Sequence, residues 1–115
     1  MGQFIQENET VPVGQGQITV DVLIGNLQSG AIHIAFNAVE IGRDGTRAHG
    51  YLGKGGVKGN LRIEASGTDI NPAPRADTIP LTIYILEDGE MVWSKTYDPS
   101  SDNGEMILFE INIKL

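Results

Sequence analysis

The chain has 115 residues, 40% hydrophobic and 20% charged, with 15 glycines, no cysteine and a formal net charge of −7. These values fit one globular domain spanning residues 1–115 and exclude a disordered chain. The missing thiols exclude disulfide staples, thiolate catalysis and zinc–thiolate sites, and an acidic body is repelled by phosphate backbones, so nucleic acid is not an expected partner.

The opening residues, Met1 to Glu7, lack the basic region and long apolar run of a signal peptide. The expectation is a chain that is intracellular or already processed, its location otherwise open. No stretch approaches the roughly 18 apolar residues of a membrane-spanning helix, so no membrane span is expected.

From residue 18 onward, apolar residues recur with a period of two, the mark of a strand with one face buried. Ile18, Val20, Val22 and Ile24 alternate with polar neighbours, and Ile32, Ile34 and Phe36 line one face of the next run. Asp44-Gly45 reads as a hairpin turn joining residues 37–43 to 46–52. That pairing sets Glu40 opposite His49, a structural cross-strand pair with no nucleophile beside it. Leu61, Ile63 and Ala65 form a further strand, and residues 67–79, with Pro72 and Pro74, read as a crossover loop.

Leu81, Ile83 and Ile85 precede Asp88-Gly89, whose composition demands a type I′ hairpin because both central residues need positive φ. In the simplest register this turn pairs Leu86 with Met91, Ile85 with Val92 and Tyr84 with Trp93. Ile107, Phe109, Ile111, Ile113 and Leu115 line the last strand. About seven or eight strands with one crossover predict an all-β fold: a two-sheet antiparallel β-sandwich of immunoglobulin-like or jelly-roll Greek-key type.

Two surface features stand out. Arg43, Arg47, Lys54, Lys58 and Arg62 are five of the eight basic residues, and only Asp44 opposes them within that span. The glycine-rich stretch inside it is no phosphate loop. Ala48 stands where a Walker-type loop needs its first glycine, and Gly55 where it needs Ser or Thr. It reads as a solubilising loop, a docking patch for an acidic partner or a small-anion nest. The second feature is the hairpin, both of whose faces are apolar in the simple register. Tyr84, Leu86, Met91 and Trp93 then form a face that the 67–79 loop, the N-terminal segment, a partner or a saccharide must cover.

No metal or cofactor is expected. His33 and His49 show no ligand spacing, and no nucleophile motif is present. Asp98, Ser100, Asp102 and Glu105 resemble the start of a calcium loop, but Asn103 and Phe109 stand where glycine and glutamate belong. The function expected is a non-catalytic protein-interaction or structural module, as one protomer of a homo-oligomer. The alternative is a carbohydrate-binding module using the aromatic hairpin face, with calcium assistance.

Overall fold

The structure, a computed structural model, describes residues 2–25, 29–68, 77–101 and 105–115. Among them, eleven extended segments follow in order: β1 (Gly2–Thr10), β2 (Ile18–Ile24), β3 (Ser29–Phe36), β4 (Val39–Asp44), β5 (Arg47–Gly53), β6 (Asn60–Thr68), β7 (Asp77–Thr78), β8 (Leu81–Glu87), β9 (Glu90–Tyr97), β10 (Ser100–Ser101) and β11 (Met106–Lys114). A five-stranded sheet runs β1-β11-β6-β3-β4 and a four-stranded sheet β5-β2-β8-β9, with β7 and β10 forming a short separate pair. This is the expected all-β, two-sheet sandwich, with nine strands in the two sheets.

The period-two alternation becomes the core. Ile18, Val20 and Val22 of β2, Ile32 and Ile34 of β3, Leu61 and Ile63 of β6, Leu81, Ile83 and Ile85 of β8, and Ile107, Ile111 and Ile113 of β11 are all buried. Each such side chain contributes on the order of 1.5–3 kcal/mol by leaving water. The alternate residues point outward, so each sheet presents a second, open face.

One pairing departs from the antiparallel expectation. β1 runs parallel to β11, Gly2 opposite Met106 through Thr10 opposite Lys114. The first and last strands enter from the same end of the sandwich, and no tight turn joins them to enforce the antiparallel sense. β1 holds no fully buried residue, and Ile5 is its one apolar side chain packed on the core.

The two Asp-Gly turns behave differently. Asp88 and Gly89 have φ of 52° and 83°, and Glu87 faces Glu90, as a type I′ hairpin requires. Asp44-Gly45 is not a hairpin of paired strands. β4 pairs with β3 in one sheet and β5 with β2 in the other, so the chain turns a corner between sheets. The expected pairing of Glu40 with His49 is therefore absent, and neither Asp44 nor Gly45 has positive φ. The corner instead relies on close approach behind it, because a Cβ on Gly42 would lie 2.6 Å from the His49 carbonyl oxygen.

A type I′ turn also occurs at a dipeptide without the usual composition. Asn37 and Ala38 have φ of 49° and 68°, with Phe36 facing Val39. The Asn37 side chain offsets the conformational cost by accepting a hydrogen bond from the Asn60 amide at 2.9 Å.

Candidate functional site

Register places the outward residues of the five-stranded sheet in rows. The first row is Phe4, Leu108, Ser66 and Ala31 on β1, β11, β6 and β3. The second is Gln6, Glu110, Glu64, His33 and Arg43, and the third Asn8, Asn112, Arg62, Ala35 and Glu40. Polar residues thus fill one half of the face. In the other half Phe4 is 59% exposed, Leu108 44%, and their neighbour Met106 48%.

The charged half is internally paired. Arg62 bonds the Glu110 carboxylate through one terminal nitrogen, and its Nε lies 3.3 Å from Glu64 Oε1. Gln6 donates to the second Glu110 oxygen at 2.7 Å. Glu40 Oε1 takes Arg43 Nε at 2.8 Å and His33 Nε2 at 3.0 Å. One guanidinium, that of Arg62, thus serves two carboxylates, an arrangement its planar fork of donors suits. Between the charged row and the Phe4–Leu108 ridge lies a trough of about 440 Å³, floored by the small side chains of Ser66 and Ala31.

A polar clasp joins the edges of the two sheets on the opposite side of β1. Glu9 Oε2 accepts from Lys95 Nζ at 2.6 Å and from the Tyr97 hydroxyl at 2.8 Å. The Lys95 hydrogen bond, helped by that of Tyr97, holds the Glu9 carboxyl below its ordinary pKa. Burial, then the Glu9 carboxylate, pushes the Tyr97 hydroxyl up. Lys95 also sits 5.2 Å from the centre of the Tyr97 ring. A charged lysine on the inner side of an edge strand guards that edge against pairing with another chain.

The hairpin tip is likewise committed. Both oxygens of Glu87 accept backbone amides, from Gly14 at 2.8 Å and Gly16 at 3.1 Å, and Asp88 accepts the Gln17 amide at 2.9 Å. The acidic tip therefore fastens the β1–β2 connection, and charge-assisted bonds to amides give Glu87 a role that its repulsion from Glu90 alone does not suggest.

The residues singled out in the sequence are dispersed. A β-bulge shifts the β8–β9 register between Ile85 and Leu86, so that Ile85 faces Trp93 and Tyr84 faces Ser94. Trp93 thereby lies on the inner side, half-buried against the core. Tyr84 and Leu86 stay on the outer face of the four-stranded sheet with Met91, which is 58% exposed. The expected four-residue face is split by one extra residue. Of the segment 67–79, residues 69–76 lie outside the described residues.

The basic span is divided too. Arg43 and Arg62 are spent on the carboxylates of the five-stranded sheet. Arg47 lies across from Leu23 on the other sheet. Lys54 and Lys58 sit on the exposed glycine loop and hold no ion pair among the described residues. His49 pairs with Asp21, Nδ1 to Oδ1 2.6 Å, in place of Glu40. Among the described residues no group of three His, Asp or Glu side chains could hold a metal; Asp102, part of the calcium-loop reading, lies outside them. No helix of the described residues is long and apolar enough to cross a membrane.

The exposed ridge is nearly invisible in the sequence because β1 carries a short, weak alternation, Phe4 against Gln3 and Ile5 against Gln6. Leu108 and Met106 hold the signal that could have found it, namely apolar residues on the polar side of an otherwise alternating strand.

No family model matches the chain, and no curated protein matches it. Solved structures do. A DUF4425 family protein from Bacteroides ovatus superposes with a TM-score of 0.56 at 10% identity, covering 88% of this chain and 96% of that one. A DUF4425 domain of unknown function from Bacteroides vulgatus gives 0.52 at 12% identity, covering 90% and 99%. At these identities the likeness is one of fold, shared over nearly the whole of each chain.

Proposed function

We propose that this chain is a non-catalytic protein-interaction module that binds through the open face of its five-stranded sheet. The observation that carries this reading is the ridge: Phe4, Leu108 and Met106 stand exposed side by side on adjacent strands. Exposed apolar residues scattered singly are ordinary, but a contiguous group bordered by charged residues is the pattern of an interface. A saccharide platform has less support. It asks Tyr84 and Trp93 to share a face, and the bulge sets them on opposite sides of the sheet.

A photo-crosslinking side chain placed at position 108, in cells that make the protein natively, tests the reading. Discrete adducts are expected from position 108 and not from position 91, on the open face of the other sheet. Adducts from position 91 alone, or from neither position, would overturn it.

A further inference from the structure

In its first, apolar row the open face has a large half and a small half. On β1 and β11 its outward residues are Phe4, Met106 and Leu108, and on β6 and β3 the residues across from them are Thr68, Ser66 and Ala31. The trough is the step between the halves. A ridge beside a trough can receive its own copy turned through 180°, each ridge entering the other's trough.

Resting on the interaction reading above, we infer that the partner is a second copy of this chain, docked face to face about a twofold axis parallel to the strands between β11 and β6. That operation sets β11 over the partner's β6 and β1 over the partner's β3. Leu108 of each copy then enters the trough over the other's Ser66, and Phe4 lies over the other's Ala31. Within this apolar row each large side chain meets a small one, which is how packed sheet faces interdigitate, and the contact is isologous and closed. The four strands that overlap, at about 4.8 Å, and nine residues at about 3.3 Å give a footprint of roughly 570 Å² on each copy, so that the two copies together bury roughly 1,100 Å², above the ~1,000 Å² a specific interface needs.

The same operation brings Glu110 of one copy over Glu64 of the other. Arg62 neutralises this pair only in part, since one cation serves two anions. Like charges at an interface are relieved by screening, so this dimer tightens as salt is added. Docking of the Lys54–Lys58 loop on an acidic surface would loosen instead.

Because the chain has no cysteine, single cysteines report the contact without interference. Purified Ser66→Cys and Leu108→Cys variants, mixed and oxidised, are expected to give a disulfide-linked pair in large excess over either variant alone. Light scattering should give twice the chain mass for the wild type, with the dimer fraction rising with salt. Leu108→Glu should give a single-chain mass with an unchanged melting temperature. Homotypic cross-links, a dimer that survives Leu108→Glu, or association that weakens with salt would overturn the inference. A wild-type monomer at every concentration would overturn it too. If position 108 still cross-linked to a different protein, the interaction reading would stand alone, and if it cross-linked to nothing, both would fall.

Discussion

Asp44-Gly45 and Asp88-Gly89 are the same dipeptide between apolar runs, and they build different things. At Asp88-Gly89 both residues take positive φ, the strands stay paired, and glycine is needed in the turn itself. At Asp44-Gly45 the strands part into different sheets, and the need for glycine moves back to Gly42, where space and not φ is the constraint. Local turn chemistry decides the outcome only when the flanking strands have no stronger partners elsewhere. β8 and β9 leave their turn already paired. β4 and β5 are claimed by β3 and β2, whose faces bury Ile32, Ile34, Val20 and Val22.

The largest expected effect lies on the strand that leaves the true hairpin. Because the bulge turns Trp93 inward, Trp93→Ser should destabilise the domain by about 3 kcal/mol, the lower end for truncating a large core residue, as its ring is only half-buried. Chemical denaturation measures this, and a loss below about 1 kcal/mol would return Trp93 to the outer face expected from the simple register.

Two glycine substitutions separate the turns directly. Gly42→Ala should cost about 1–3 kcal/mol, because the added methyl meets backbone and cannot be relieved by a rotamer change. Gly89→Val should cost about 1–3 kcal/mol for a different reason, since φ there is strained for a β-branched residue although nothing crowds the site. Gly42→Ala behaving like wild type would mean that the corner is looser than the register implies.

The hairpin side also carries the clasp, and pH addresses it. Glu9 is depressed below its ordinary value of 4.5, so its contribution is complete above that value and is lost as pH falls through the lower folded pKa. Tyr97 is raised above its ordinary 10.0, so its contribution is complete below that value and is lost as pH rises beyond it. Thermal melts across pH should fall at both extremes, and Glu9→Gln should flatten the acid limb. An acid limb unchanged in that variant would assign it to other carboxylates.

The smallest effect is the sharpest control. Gly45→Ala should change stability by less than about 0.5 kcal/mol, because φ at Gly45 is ordinary and its Cβ would make only a 3.8 Å contact with the Gly30 carbonyl oxygen. A large loss would restore the Asp44-Gly45 hairpin.

The class of the fold, its core residues and the true hairpin turn are legible in the amino-acid order alone. Alternation at Ile18–Ile24 and Ile107–Ile113 commits each strand to one buried face, since a one-residue slip would expose the entire set. Other features exist only once the strands have found their neighbours. The bulge that moves Trp93, the parallel docking of β1, the corner at Asp44-Gly45 and the ridge beside its trough all depend on which strand lies next to which. Strand neighbours are chosen by long-range packing over the whole core, and a local pattern of alternation is compatible with many such choices. For the same reason Arg43 and Arg62, close to Lys54 in sequence, ended on the five-stranded sheet paired to carboxylates contributed by three different strands.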